Sequence, residues 1–253
     1  MVKTVHIVMQ GKGGAGKSLT SSILVQYLRY TDHHVQAIDL DDPTTPTLSA
    51  IKGLKAVPIP IMDGDDINPR LFDHLMTRIF ESDDETHTVI DTGTSSFIAT
   101  CSYLAENNAF ELMQGFDVRI FIHCPICGGA ALDDTFNSLL AILGHFPGVP
   151  VVVWLNEFFG PVASEGRSFE DSKLYQENAD RIAAVMCHPK VQAGTFGEDI
   201  RAMMGAKLTF EEAIRSNDFN VMARQRLKIY WTKAIERLDE AAFLETTKQE
   251  AAE

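Results

Sequence analysis

Residues 5–18 constrain this chain more than any other stretch. Val5, Ile7 and Val8 form a short apolar run, and Gln10-Gly11-Lys12-Gly13-Gly14-Ala15-Gly16-Lys17-Ser18 follows it. Gly11, Gly16, Lys17 and Ser18 match the phosphate-loop pattern of a glycine, four residues, then Gly-Lys-Ser. The run before the loop predicts a buried strand over 5–10. After it, Leu19, Ile23, Leu24, Tyr27 and Leu28 recur every three or four residues, the period of a helix over 19–30. A glycine-rich turn between such elements can aim backbone amides at phosphate oxygens, with the positive helix end behind them. The pattern therefore assigns Gly11, Gly13, Gly14, Ala15, Gly16, Lys17, Ser18 and Leu19 to nucleotide binding. Lys17 would reach the β- and γ-phosphates and the Ser18 hydroxyl would ligate Mg²⁺. The implied ligands are ATP or ADP with Mg²⁺. A glycine-rich turn without nucleotide is the competing reading.

The rest of the chain repeats the alternation of short apolar runs and helical periods. Residues 35–38 read as a strand that ends at Asp39-Leu40-Asp41-Asp42-Pro43. In an open α/β sheet that end is where ligands bind. Asp41 or Asp42 could then position a water or hold Mg²⁺ through one, and a solvated turn is the alternative. Residues 57–61 look extended, but Pro58 and Pro60 place them at an edge. Residues 63–66 read as a loop, and Asn68-Pro69 opens a helix carrying Leu71, Leu75, Met76 and Ile79. Thr88-Val89-Ile90-Asp91 is a buried strand ending in an acid, where such nucleotidases hold Mg²⁺ through water. Gly93 in the following Thr-Gly-Thr-Ser-Ser run can offer its amide to the γ-phosphate, and the same run suits an N-terminal helix cap.

Helices are expected over 97–113, 128–143 and 173–183, and strands over 118–123, 149–155 and 184–187. Asn156, at a strand exit, either pairs with a base edge or is a plain polar residue. Residues 158–168 read as an exposed flap and 192–199 as a loop. In the last helix, 217–243, the apolar side is Phe219, Met222, Leu227, Trp231, Ile235 and Leu238. The class is α/β: a doubly wound, mostly parallel central sheet with helices on both faces, a P-loop NTPase. One ATPase domain is expected over 1–244, with a polar, frayed tail over 245–253.

The loop, with Lys12 directly after the first glycine, resembles the deviant phosphate loop of the ParA/MinD family of ATPases. In that family this lysine crosses a dimer to the other subunit's nucleotide, so the resemblance makes Lys12, with Lys17 and Asp41 or Asp42, a catalytic residue. It implies slow ATP hydrolysis and a homodimer in the ATP state. The family's Asp-x-Asp-Pro segment resembles Asp39-Leu40-Asp41-Asp42-Pro43, which has one acid more. Asn156 is similar to the family's adenine-contacting asparagine. A second switch that is usually Asp-Thr-Pro-Pro stands here as Asp91-Thr92-Gly93-Thr94. Within the family the chain resembles a branch found in plasmid conjugal-transfer operons. Gly128-Gly129-Ala130 and Val153-Trp154-Leu155-Asn156 are among the segments that carry this likeness. It implies a nucleotide-dependent dimerising switch in conjugal transfer or plasmid maintenance, with conjugation or plasmid-partition proteins as partners.

Two other classes remain open on the same scaffold. One is an amide-forming or iron-protein-like redox enzyme, for which Cys124 and Cys127 have the spacing of a zinc or redox pair. The other is a non-hydrolysing module that binds DNA or a scaffold. The formal net charge of -13 disfavours a broad DNA-binding surface, so only weak ATP-dependent DNA binding is expected. Arg224, Arg226 and Lys228 form a small basic group, for which a solvated helix face is the simpler reading. No stretch reaches the eighteen apolar residues of a membrane span, and the N-terminus lacks a secretory signal, so a cytoplasmic protein with no integral membrane segment is expected.

Overall fold

The computed structural model describes residues 2–41, 46–63, 66–164 and 166–244. In chain order the elements are β1 (Thr4–Val8), α1 (Lys17–Tyr30), β2 (Val35–Asp39), β3 (Val57–Pro58), β4 (Met62–Asp63), β5 (Asp66–Ile67) and α2 (Phe72–Phe80). Then come β6 (His87–Asp91), α3 (Phe97–Glu106), α4 (Ala109–Gly115), β7 (Arg119–Cys127), α5 (Leu132–His145) and β8 (Val151–Asn156). The chain continues with β9 (Ala163–Ser164), β10 (Arg167–Ser168), α6 (Lys173–Asn178), β11 (Ile182–Cys187), α7 (Glu198–Gly205), α8 (Phe210–Arg215) and α9 (Val221–Ala241).

Seven strands form one sheet in the order β11-β8-β7-β1-β6-β2-β3. Every pairing in it is parallel. Parallel strands need crossovers, and crossovers put helices on both faces, so each strand must be apolar on both sides. Side-chain alternation divides the strands between two cores. Val5, Ile7, Ile38, Ile90, Ile122, Val151 and Val153 meet α2, α3, α4 and α5 on one face. Val8, Ala37, Val89, Phe121, Val152 and Trp154 meet α1, α7, α8 and α9 on the other. Each fully buried side chain such as Ile23 or Leu24 stabilises the fold by about 2 kcal/mol.

Register brings the functional ends together. Val8 lies opposite Asp91 and His123, Asp39 opposite Asp91, and Cys127 opposite Asn156. The chain reverses direction across β1, so the loop after β1 opens at the switch point of the sheet, where a ligand crevice forms.

Several local expectations are corrected. The helix over 97–113 is two helices, α3 and α4, because Asn108 is left-handed at φ 46°. Asparagine tolerates that conformation better than most residues. The strand expected over 118–123 runs on through Pro125 to Cys127. The helix over 173–183 ends at Asn178, passes through a 3-10 turn, and Ile182 and Ala183 already belong to β11. Residues 192–199 are a π-helical turn, Ala193–Gly197, running into α7. The loop over 63–66 is flanked by the antiparallel pair β4 and β5, and its centre lies outside the described residues. In the last helix Met222 points to solvent at 60% exposure, while Tyr230 takes a place in the core. Asn220 caps this helix by accepting from the Ala223 amide at 2.9 Å. The tail over 245–253 lies outside the described residues. Among the described residues no helix is long and apolar enough to cross a membrane.

Candidate functional site: a phosphate loop at the sheet edge

The loop after β1 is held open by its neighbours. Gly16, the N-cap of α1, has φ 101°, which an L side chain rarely adopts. A Cβ there would also lie 2.9 Å from Asn156 Nδ2. Gln10 is fully buried and anchors the entry to the loop. Its Nε2 donates to the Pro125 carbonyl at 2.7 Å and its Oε1 accepts from the Lys12 amide at 3.2 Å. The Ala15 carbonyl accepts from Asn156 Nδ2 at 3.1 Å and from Cys127 Sγ at 3.4 Å. The loop is thereby fixed to β7 and β8 before any ligand arrives.

The two lysines part company. Lys17 is buried, and its Nζ donates to Thr94 Oγ1 at 2.7 Å. Burial lowers its pKa, while the carboxylates of Asp91 and Asp41 oppose that shift. Lys12 lies on the outer rim, its side chain 43% exposed, and pairs with Asp134 Oδ2 at 2.7 Å. Asp134 is in the first turn of α5, where an acid also favours the helix dipole.

Asp91 is held through both carboxylate oxygens. Its Oδ1 accepts from Ser21 Oγ at 2.8 Å and its Oδ2 from Thr47 Oγ1 at 3.0 Å. Burial pushes its pKa up to about 6; Ser21, Ser18 and Thr47 pull the other way, and neighbouring Asp39 adds to the rise. Asp39 is held by its own neighbours, its Oδ2 accepting from the Ser49 amide and hydroxyl at 2.7 Å each. A buried carboxylate left with a raised pKa is an environment that favours a nearby cation. The donor set of Ser18 hydroxyl and Asp91 carboxylate is of the hard oxygen type that Mg²⁺ takes, so these residues fit that ion.

Asp41 also joins the site. Its Oδ1 packs so closely on Gly93 that a Cβ at Gly93 would lie 2.5 Å away. Asp42 lies outside the described residues. The Thr-Gly-Thr-Ser-Ser run does not cap α3 by a side chain: Thr94 serves Lys17, and Ser96 Oγ donates back to the Gly93 carbonyl at 3.1 Å. Beside the loop lies a cavity of about 180 Å³ lined by Gly14, Gly16, Leu19, Asn156, Phe158 and Tyr230. The Asn156 amide is engaged on both atoms, its Oδ1 accepting from the Phe158 amide at 3.2 Å. It shapes this cavity and ties it to the loop.

A model of the CobQ/CobB/MinD/ParA nucleotide-binding domain matches residues 6–188. The chain belongs to that family. Two Escherichia coli proteins named TraL are 37% and 38% identical to it over 241 residues, 95% of this chain and 99% of theirs. Among solved structures, MinD in the MinC:MinD cell division complex of Aquifex aeolicus covers 92% of this chain and 96% of its own, at 13% identity and TM-score 0.50. A ParA family ATPase of Chlorobium tepidum covers 90% of this chain and 98% of its own, at 14% identity and TM-score 0.50. These likenesses show a shared fold.

The cysteine pair lies in the core. Cys124 and Cys127 are three apart within β7, so their side chains leave opposite faces of the strand. Both are buried, and burial raises both thiol pKa values, that of Cys127 to about 11. Burial and opposite faces give these thiols the surroundings of core residues. The basic group of α9 is also reduced, because Arg226 is held by both carboxylate oxygens of Asp199. Gln10, Thr94 and Asp134 do much of the positioning, through contacts that residue type and spacing do not announce. Each is an ordinary polar residue whose partner lies far away in sequence.

Proposed function

We propose that the chain is a MinD/ParA-type ATPase that works as a nucleotide-dependent dimerising switch in plasmid conjugal transfer or maintenance. The placement of Lys12 carries the reading. Lys17 is buried inside its own site, whereas Lys12 sits half exposed on the rim, held by one surface carboxylate. An exposed ion pair of that kind contributes only about 0–1 kcal/mol. Lys12 can therefore leave Asp134 at little cost and serve a site on a second copy of the chain. The TraL relatives support the process, and the net charge of -13 makes a protein partner the main cargo, with only weak DNA contact.

In this reading the loop amides and Lys17 Nζ bind the phosphates of ATP, and Lys17 exchanges Thr94 Oγ1 for a phosphate oxygen. That exchange releases the Thr94 segment and so reports nucleotide to the surface around α3. Ser18 and Asp91 would hold Mg²⁺, which offsets phosphate charge when bound. Asp41, packed on Gly93, positions the attacking water, and Lys12 of the second copy stabilises charge developing on the phosphates. The base occupies the cavity beside Asn156.

Phosphate release from MgATP tests this directly. The parent protein should turn over slowly, and Lys12→Ala should lower turnover by on the order of tenfold or more, with ATP affinity little changed. Parental turnover in Lys12→Ala would remove the cross-dimer role. No phosphate release from the parent, with binding intact, would favour a non-hydrolysing module.

A further inference from the structure

A second polar cavity opens at the opposite edge of the sheet, and a chain of buried rings leads to it. Trp154 Nε1 donates to His123 Nδ1 at 2.9 Å. His123 Nε2 lies 3.0 Å from His6 Nδ1, and His6 Nε2 lies 3.0 Å from His87 Nδ1. The tryptophan settles the direction, because an indole N–H can only donate. His123 must accept at Nδ1 and so carries its proton on Nε2. It then donates to His6 Nδ1, which places the His6 proton on Nε2. His6 in turn donates to His87 Nδ1, and the His87 proton is left on Nε2.

His87 is 8% exposed and its ring lines a cavity of about 590 Å³. Its Nε2 has no hydrogen-bond partner among the described residues. The relay thus delivers one oriented, buried donor to the cavity wall. Arg119 lines the same cavity, and it has no carboxylate partner among the described residues. Its Nη1 donates at a long 3.3 Å to the Leu244 carbonyl. His33 stacks edge-on against His87 with ring centroids 4.5 Å apart. Burial, then His33, then Arg119 push the His87 pKa down to about 4, so the ring is neutral and its Nε2–H is a fixed donor. One acid faces the same space: Asp239, whose Oδ1 accepts from Tyr27 Oη at 2.8 Å. Leu238 and Phe243 supply apolar wall.

We propose that this cavity binds a small oxyanion, a phosphate or carboxylate group held by the Arg119 guanidinium and His87 Nε2–H. A planar guanidinium beside a fixed N–H is a donor set for two oxygens of one anion. Asp239 lines the same cavity, and its negative charge favours a singly anchored group over a polyanion. The site lies at the start of β6 and β7, away from the phosphate loop at their far ends, so it is independent of the nucleotide reading.

The test must keep the phosphate loop occupied. Full-length protein saturated with MgADP is titrated with inorganic phosphate and, separately, with succinate, while the imidazole ¹⁵N and ¹H signals of His87 are followed. A saturable shift of those signals by either probe, at up to on the order of tens of millimolar, is the expected result. The stronger probe tells phosphate from carboxylate. Arg119→Met should weaken that response by on the order of tenfold or more, with MgADP affinity and the His6 and His123 signals unchanged. No saturable shift with either probe would overturn the proposal, as would an equal response in Arg119→Met. Movement of the His87 signals in proportion to ionic strength alone would also overturn it.

Discussion

Lys17→Ala is expected to lower ATP affinity by on the order of a hundredfold, about 3 kcal/mol, without unfolding the protein. The Lys17 ammonium is buried and, among the described residues, donates to the Thr94 hydroxyl at 2.7 Å. Burial of the cation costs free energy, as its lowered pKa shows, and the nearby Asp91 and Asp41 carboxylates only offset part of that cost. The unliganded fold therefore loses little when the charge goes. A phosphate loses its buried countercharge and a charge-assisted hydrogen bond. Calorimetric titration with ATP and a urea melt, run on the same preparation, separate the two effects. Unchanged affinity in Lys17→Ala would remove the phosphate-loop assignment.

The second large effect is acid lability. His6, His87, His123 and His188 are buried, and all have pKa values below the usual 6.5: about 3 for His123, about 4 for His87 and His188, and well below normal for His6. Burial is the main cause in each case. The relay adds a reason, because a second proton on any ring would set two donors facing each other. The unfolded chain takes up protons below about pH 6.5 while the native rings stay neutral. The unfolded state then binds more protons, so stability rises with pH and falls on acidification. At pH 5 each ring that stays neutral lowers stability by about 2 kcal/mol, or about 8 kcal/mol for four.

Asp91 acts in the opposite sense. Its raised pKa, about 6, means that the native state takes up a proton first as pH falls, returning about 1 kcal/mol at pH 5. The net loss is comparable with the whole stability of an ordinary domain, about 5–15 kcal/mol. Urea midpoints measured from pH 7.5 to pH 5 should fall steeply below pH 6.5. A flat profile would mean that the rings are charged or exposed in the native protein.

Much of the architecture was legible before any coordinates. Short, β-branched apolar runs such as Val151-Val152-Val153 read as strands covered on both faces, and the phosphate-loop motif marks which sheet edge matters. What misled was local. The strand expected over 118–123 runs on through Pro125, because β8 still pairs with β7 there while β1 has ended at Val8, so the proline's missing N–H falls where no strand needs it. Apolar residues on both sides of Glu106-Asn107-Asn108 let 97–113 read as one helix and hide the turn at Asn108. The candidate site was half legible. Glycine, lysine and the acids at strand ends announce their chemistry by type and spacing. The Lys12–Asp134 pair joins residues 122 apart, and the Lys17–Thr94 bond joins residues 77 apart. No periodicity encodes such contacts. The histidine relay was invisible for the same reason. His6, His87 and His123 are scattered singly, and only parallel register across β6, β1 and β7 lays them side by side.

In the proposed switch, Lys12 acts on a second copy of the chain when ATP is bound. Light scattering of the parent protein with no nucleotide, with ADP and with a slowly hydrolysed ATP analogue tests it most directly. One chain in the first two conditions and two chains in the third, with Lys12→Ala remaining a single chain throughout, is the predicted result. A single chain with the analogue under saturating binding, or the same dimer with every nucleotide and in Lys12→Ala, would contradict it.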